Sequence, residues 1–173
     1  MTVQLKGRAE AITIQWIPKY TALERAAHWL HTATFIPLAI TGMILYFPFL
    51  QPLAQGAAGE TFRLIHRIAA VIFGLLPIVY YALQPRRFIM HTREFLPRKE
   101  DLGWLKGAPA YYLLGKHEAM PPQGRFNAGE KMNGLVMIVA WFVFGLTGIP
   151  MWFGKGVIPP ELFRWLVIFH DLA

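Results

Sequence analysis

The sequence contains no cysteine among its 173 residues. Disulfides, thiolate nucleophiles, cysteine-ligated zinc, iron–sulfur clusters and covalently attached c-type haem are therefore excluded. Charge is also scarce, since 16% of the residues are charged whereas 55% are hydrophobic. This composition is too apolar for an ordinary soluble domain and indicates a membrane protein. Any redox centre in the chain must use histidine, methionine or carboxylate ligands.

Acidic residues are fewer than basic ones, 10 against 17, and the net charge is +7. In a membrane protein such an excess mainly reports loops that face the cytoplasm and anionic lipid. The sequence has no surface of interleaved basic and aromatic residues, so we expect no nucleic-acid partner. The N-terminal stretch "MTVQLKGRAEAITIQWIPKY" is charged throughout and has no continuous apolar core, so we expect no cleaved signal peptide.

Long apolar runs are plentiful, and a membrane helix needs about 20 residues. Three runs reach this length and contain a proline that bundled membrane helices tolerate, namely 26–50, 61–83 and 132–153. A fourth run, 162–173, is cut short where the sequence ends. We therefore predict an all-α membrane protein with a single domain, 1–173. Its architecture is a four-helix transmembrane bundle whose fourth helix is truncated.

Lysine and arginine are distributed unevenly between the predicted helices. The connection 51–60 has none and 154–161 has one, whereas 84–131 has nine. The N-terminal segment carries Lys6, Arg8, Lys19 and Arg25. The positive-inside rule predicts that the N-terminus and 84–131 lie in the cytoplasm of a multi-pass protein of the bacterial inner membrane.

The cytoplasmic connection 84–131 also contains an aromatic-rich stretch, "DLGWLKGAPAYYLLGKH". The stretch suits a short interfacial helix at the lipid headgroups, and an ordinary loop is the alternative. The histidines of this connection, His91 and His117, are expected to be solvated loop residues.

An internal repeat relates 24–48 to 130–154 without gaps, at an offset of 106 residues. Each unit is followed by a short loop and a helix with a histidine near its start, His66 in the first half and His170 in the second. The repeat predicts two helical hairpins. The aligned pairs are Glu24 with Glu130, Arg25 with Lys131, Thr41-Gly42 with Thr147-Gly148, and Phe47 with Phe153.

His66 and His170 are the first candidate ligands, because a histidine inside a membrane span is costly and usually functional. Both are predicted near the outer end of their helices, so they can face each other across the bundle. Two neutral imidazoles at one level suit the axial positions of a low-spin haem iron, with one Nε2 at each. The alternative is a pair of interfacial histidines hydrated at the headgroups.

His28 and His31 lie at the opposite, cytoplasmic level of the first predicted helix. His28 is the candidate ligand of a second haem, while His31 packs at its rim or contacts a propionate. The repeat places Gly134 rather than a histidine opposite His28. The second ligand is therefore expected at the inner end of the fourth helix, about 14 residues or 21 Å beyond His170. We expect a truncated sequence or a further chain that completes this helix.

Arginines flank each candidate ligand, and haem propionates need cationic partners at the membrane edge. The alternative is arginine that extends to lipid phosphate. The candidate propionate partners are Arg25, Arg63, Arg67 and Arg164.

Four motifs in this order, "RAAHW", "RLIHR", "RFNAGEKM" and "LVIFHDLA", resemble the gamma subunit of respiratory formate dehydrogenase, a di-haem cytochrome b. The resemblance covers the chain from about residue 23 to its end, and "RFNAGEKM" is its most specific part. It implies haem b ligation by His66 and His170 on the outer side. It also implies a cytoplasmic-side haem held by His28 and a late histidine of the fourth helix.

The same resemblance implies a quinone-reduction site beside Asn127 and Gly129, with Glu130 standing where some members have glutamine. It implies as partners an iron–sulfur subunit and a molybdenum or tungsten catalytic subunit of a periplasmic formate dehydrogenase. The chain itself would carry electrons to quinone rather than act on formate. The residues alone also allow Asn127 to cap a helix.

Two other functions remain open from the residues. A cytochrome b subunit of a membrane-bound hydrogenase or of another molybdoenzyme shares the four-helix bundle and paired histidines. A haem-free membrane anchor or small transporter also has repeats and prolines in its helices. The positions of the histidines near the two membrane faces, rather than at the midplane, favour two stacked haems.

Overall fold

The structure, a computed structural model, describes residues 2–3, 12–13 and 18–173. Lys6 and Arg8, which enter the orientation prediction, lie outside the described residues. Thr2–Val3 pairs in antiparallel fashion with Ile12–Thr13. The helices are Ala22–Tyr46 (α1), Gly56–Leu83 (α2), Pro85–Glu94 (α3), Asp101–Leu114 (α4), Ala128–Phe153 (α5) and Pro160–Leu172 (α6), with 3-10 turns at Pro48–Ala54 and His117–Ala119.

The prediction of an all-α membrane protein is confirmed. Helices α1, α2 and α5 have 25, 28 and 26 residues, and each is long and apolar enough to cross a membrane. Each begins a few residues before its predicted apolar run, and α1 and α5 do so because they start at a capping box rather than at the first apolar residue. Helix α1 ends at Tyr46 because the following residue precedes Pro48 and is extended, as the proline ring favours.

Helices α1 and α5 begin with the same capping box, at positions related by the repeat. The Thr21 hydroxyl accepts from the Glu24 amide at 3.3 Å, and the Glu24 carboxylate accepts from the Thr21 amide at 2.7 Å. Asn127 and Glu130 make the same two hydrogen bonds, both at 2.9 Å. A capping box satisfies amides at the helix start that have no partner within the helix. Both repeat units therefore start in the same way.

The helices pair as two hairpins, α1 with α2 and α5 with α6. The α6 helix has 13 residues, fewer than the roughly 20 that a full span needs. Between the hairpins, the Trp141 indole donates to the Gly74 carbonyl at 3.2 Å. Most large apolar side chains on the long helices are exposed, as expected for surfaces that face lipid or a bound group.

The connection between the hairpins is mostly helical. Helix α4 occupies the stretch predicted as an interfacial helix, and it ends at Gly115 in the left-handed region, with φ of 66°. Its exposed Leu102, Leu113 and Leu114 suit the boundary between headgroups and hydrocarbon. Helix α3 was not predicted, because its short sequence is rich in arginine and has a proline at its first turn.

We call the end of the bundle that holds the starts of α1 and α5 the polar end. Its centre is the Glu24 carboxylate, whose side chain is 5% exposed. Around it lie the Tyr80 hydroxyl at 3.3 Å, an Arg87 nitrogen at 3.4 Å, the His91 Nε2 at 3.4 Å and an Arg125 nitrogen at 3.9 Å. A buried carboxylate is tolerated only with such hydrogen-bonding and cationic neighbours. The cluster therefore ties α2, α3 and the segment before α5 to the start of α1.

The prediction that His91 is a solvated loop residue is wrong. Its side chain is 13% exposed, because α3 folds back against the start of α1. Burial, followed by the charge of Arg125, lowers the pKa of the His91 imidazole. His117 is exposed, in agreement with its predicted environment. Sequence alone does not show that α3 turns back onto the bundle.

We expect His91 to make stability depend on pH. Its pKa is lowered in the folded chain and is about 6.5 when unfolded, so below about pH 6.5 the unfolded chain binds a proton that the folded chain excludes. The apparent unfolding temperature in detergent should therefore fall between about pH 7.5 and pH 5.5. His91→Gln should reduce this fall, and the exposed-site variant His117→Gln should not. An equal fall in all three proteins contradicts the role assigned to His91.

We expect Gly134 to be required by packing. A Cβ at Gly134 would lie 2.7 Å from the Phe95 ring, whereas a Cβ at Gly145, on the same helix, meets nothing within 4 Å. Gly134→Ala should destabilise by about 1–3 kcal/mol because Phe95 must move. Gly145→Ala should be neutral or stabilising by up to about 1 kcal/mol. Thermal unfolding in detergent measures both, and equal unfolding temperatures contradict the expectation.

Candidate functional site

The structure brings His66 and His170 together between the two hairpins. His66 projects from α2 and His170 from α6, and both side chains are partly buried. Their ring centroids are 6.3 Å apart, and the ring planes meet at 56°. We call this arrangement the histidine pair. It lies toward the end of the bundle opposite the polar end, because α2 and α6 both start there.

The histidine pair fits a bis-imidazole haem. Two metal–nitrogen bonds of about 2 Å, with the ring radii added, place the ring centres about 6 Å apart. A porphyrin supplies four further nitrogen ligands, so two protein ligands suffice. Among the described residues no group of three or more histidine, cysteine or carboxylate side chains could hold a metal ion. The donor set therefore suits haem better than a bare metal ion.

Each imidazole of the histidine pair is hydrogen-bonded to a threonine on the partner helix of its hairpin. Thr41 Oγ1 lies 2.8 Å from His66 Nδ1, and Thr147 Oγ1 lies 2.8 Å from His170 Nδ1. Both threonines are buried. The internal repeat aligns these two threonines but does not by itself indicate a role for them. Their recurrence as Thr-Gly in both repeat units was the signal that could have found them.

The structure places His28 and His31 in different environments. His28 is exposed near the start of α1, where its ring lies 5.8 Å from Trp29. His31 is partly buried, with its ring edge-on to Phe73 at 4.1 Å. The His31 Nε2 is buried and has no hydrogen-bond partner among the described residues. The described residues bring no second histidine ring against His28.

Two of the candidate propionate partners donate hydrogen bonds to backbone carbonyls. Arg25 donates to the Tyr20 carbonyl at 3.1 Å. Arg63 donates to the Ala54 carbonyl from both terminal nitrogens, at 3.1 and 3.3 Å. These contacts stabilise the entry to α1 and the turn before α2. Both guanidinium groups are exposed and retain donors for a further partner.

The other two arginines are less constrained. The Arg67 guanidinium lies over the Trp152 ring at 5.4 Å, so the residue that follows His66 in the sequence bridges α2 and α5. Arg164 is exposed on α6 and forms no hydrogen bond or ion pair with the described part of the chain. Of the four arginines, Arg67 is therefore the one that the structure places in a contact across the hairpins.

The predicted quinone-site residues lie at the polar end, at the start of α5. The alternative function of Asn127, as a helix cap, is confirmed by its capping box. Glu130 closes that box and also accepts from Lys19 Nζ at 2.8 Å, which raises the pKa of Lys19. At Gly129, a Cβ would lie 2.9 Å from the Trp104 ring. The glycine therefore allows α4 to pack closely against the start of α5.

A cleft of about 240 Å³ opens beside these residues, between α4 and the segment that precedes α5. On one side Lys131 Nζ donates to both Asp101 carboxylate oxygens, at 2.8 and 2.9 Å, and this contact lowers the pKa of Asp101. The Trp104 Nε1 is buried without a partner among the described residues. The wall also includes Asn127 and Arg125. The cleft thus offers hydrogen-bond donors beside an aromatic surface.

The chain is similar to cytochrome b556 subunits of formate dehydrogenase from two organisms. The nitrate-inducible formate dehydrogenase cytochrome b556(Fdn) subunit of Escherichia coli K12 is 28% identical over 154 residues, which cover 87% of this chain and 67% of that protein. The cytochrome b556(fdo) subunit of the same strain is 26% identical over 160 residues, or 91% and 71%. The formate dehydrogenase cytochrome b556 subunit of Haemophilus influenzae is 27% identical over 129 residues, or 74% and 51%.

These similarities confirm the resemblance seen in the motifs. The family match extends over both hairpins and the polar end, so it includes every candidate site residue described above. Residues 19–173 match the prokaryotic cytochrome b561 family, and the chain belongs to that family.

Proposed function

We propose that the chain is the membrane-anchoring cytochrome b subunit of a formate dehydrogenase complex, where it carries electrons from an iron–sulfur subunit to quinone. The prokaryotic cytochrome b561 family implies haem b. The similar proteins are named as formate dehydrogenase subunits. The observation that carries the proposal is the spacing of the histidine pair, 6.3 Å between ring centroids on two helices of an apolar bundle.

In this proposal His66 and His170 hold one haem b through their Nε2 atoms. A bound haem supplies one-electron transfer. The chain's own contribution is to fix the two imidazoles on separate helices and to surround them with apolar residues, which exclude water. Arg67, which follows His66 in the sequence and bridges α2 and α5, supplies a cation for a propionate.

A second haem at His28 belongs to the same proposal, with a further histidine supplied by a polypeptide segment beyond those described. Two features support it. His28 is exposed on α1, where a ligand can reach it, and the His31 Nε2 nearby is a buried nitrogen without a hydrogen-bond partner. Arg25, one turn before His28, retains donors that can face a propionate.

The quinone site is proposed at the polar end, by the cleft beside Asn127 and Gly129. The Asn127 carbonyl oxygen is used in the cap, and its amide nitrogen donates no hydrogen bond within the described residues. That amide is therefore available for a quinone oxygen. Glu130 is held by the cap and by Lys19, so its part is to orient the site.

The membrane orientation follows the charge distribution. The polar end, with the basic connection 84–131, faces the cytoplasm, and the histidine pair lies toward the outer face. The iron–sulfur subunit and the molybdenum or tungsten catalytic subunit would then dock outside. A hydrogenase or another molybdoenzyme as the partner remains the alternative, and the formate dehydrogenase names of the similar proteins favour the first assignment. The family's haem b argues against a haem-free anchor.

We expect the histidine pair to be required for haem. His66→Ala and His170→Ala should each lose the low-spin b-type signal that depends on the pair, because a single imidazole leaves one axial position open. The exposed-site variant His117→Ala should keep it. The haem-to-protein ratio and visible spectrum of the purified native complex measure this. Full haem content in both alanine variants would contradict the proposed function.

We expect Asn127 to contribute to quinone reduction separately from its cap. Asn127→Ser keeps a side-chain oxygen for the cap but removes the amide donor, and the shorter serine hydroxyl, placed at the cap, does not reach the position of the amide nitrogen. Reoxidation of the formate-reduced complex by a soluble quinone should slow about tenfold, the effect of one lost hydrogen bond of about 1.4 kcal/mol. The unfolding temperature should stay unchanged. If the Asn127→Ser variant is reoxidised at the normal rate, the proposal that quinone binds beside Asn127 is wrong.

A further inference from the structure

Two threonines contact the histidine pair in the same way in both hairpins. Thr41 and Thr147 are 3% and 6% exposed, and each Oγ1 lies 2.8 Å from the Nδ1 of the facing histidine. We propose that Thr41 and Thr147 are positioning residues that select the imidazole tautomer and tune the haem held by His66 and His170. This inference rests on the proposed function.

The direction of each hydrogen bond follows from the second contact of the hydroxyl. Thr41 Oγ1 lies 2.6 Å from the Pro37 carbonyl, and Thr147 Oγ1 lies 2.6 Å from the Val143 carbonyl. A carbonyl oxygen only accepts, and a threonine hydroxyl has a single proton to donate. The proton must therefore point to the carbonyl, since two oxygen lone pairs would otherwise repel at this distance.

With its proton committed, each hydroxyl can only accept from the histidine. The proton of the imidazole is therefore on Nδ1, and Nε2 keeps the lone pair that binds a metal. The threonines thus hold both rings in the tautomer that a bis-imidazole site needs. The same bond fixes the direction in which each Nε2 points.

The glycine after each threonine lets the imidazole lie against the helix backbone. A Cβ at Gly148 would be 3.1 Å from His170 Cε1, and a Cβ at Gly42 would be 3.8 Å from His66 Cε1. A Cβ at Gly148 would push the His170 ring away from the threonine, whereas at Gly42 a Cβ would come only into ordinary contact with the His66 ring. The Thr-Gly pair of each repeat unit therefore contacts the imidazole in two ways. The threonine forms a hydrogen bond with the ring edge, and the glycine leaves a flat backbone surface beside the ring.

The threonine bond also changes the imidazole as a ligand. An acceptor on Nδ1–H raises the basicity of Nε2, which strengthens the bond to iron and favours its oxidised form. Removal of an outer-shell partner of this kind typically costs 10–100-fold in metal affinity, or about 10-fold at the weak end that suits a hydroxyl. We therefore expect the haem of the pair to be held less tightly and to have a higher midpoint potential when either hydroxyl is absent.

The test uses the purified native complex and three readouts: haem retention under dilution, the midpoint potential and the low-spin electron paramagnetic resonance signal. Thr41→Val and Thr147→Val keep the shape of the side chain and remove the hydroxyl. Each should weaken haem retention about tenfold, raise the potential and shift the resonance signal, because the imidazole is free to rotate. Thr41→Ser restores the acceptor and should return all three to the values of the unmodified protein.

Thr34→Val is the matched control. Thr34 is a buried threonine of the same helix, 6% exposed, and its hydroxyl bonds to the Leu30 and His31 carbonyls but to no imidazole. The Thr34→Val variant should leave haem retention and the midpoint potential unchanged. The inference is overturned if Thr41→Val and Thr147→Val match the unmodified protein, or if Thr34→Val shifts the potential as much.

The histidine variants separate this inference from the proposed function. Haem loss in His66→Ala and His170→Ala, together with silent threonine variants, removes only the positioning role. Haem retention in the histidine variants removes the proposed ligand pair, and the positioning role falls with it.

Discussion

A hydrogen bond crosses each helical hairpin between an imidazole Nδ1 and a threonine hydroxyl, and the candidate site depends on it. An imidazole in an apolar bundle needs a partner for its N–H, since an unpaired polar group in hydrocarbon is costly. Thr41 and Thr147 supply that partner at 2.8 Å in both hairpins. Satisfying Nδ1 leaves both Nε2 atoms available at the gap between the hairpins. In the proposed function, this is the orientation that a haem bound by both rings requires.

The opposite end of the bundle follows the same rule with charged groups. Glu24 is buried at the start of α1, and donors from three other parts of the chain converge on it. In the second repeat unit, Glu130 holds the corresponding cap and pairs with Lys19, while Lys131 reaches Asp101. These pairs hold the long connection against both hairpins. The cleft beside Asn127 exists because this packing fixes α4 next to the start of α5.

The two ends thus have different chemistry within one repeated architecture. One end presents two neutral imidazoles between apolar helices, which suits an electron carrier. The other end presents paired charges, capped helix starts and a donor-lined cleft, which suits a polar substrate and access to water. This asymmetry arises from the connection rather than from the repeat, because the repeat by itself would make the hairpins equivalent.

The sequence by itself determined the class of the protein, the three long apolar helices and the two-hairpin repeat, and it supplied the candidate haem ligands. These features are local, since hydropathy, charge and repeated spacing are properties of contiguous residues. The start of α5 at an Asn127 cap was also readable, because a capping box is contained within four residues. By contrast, three features could not be predicted from the sequence: the exposure of His28, the burial of His91 and the threonine partners of the histidine pair. Each depends on which residues meet across helices, such as Thr41 with His66 or Glu24 with His91, and only the packing of the tertiary structure decides those contacts.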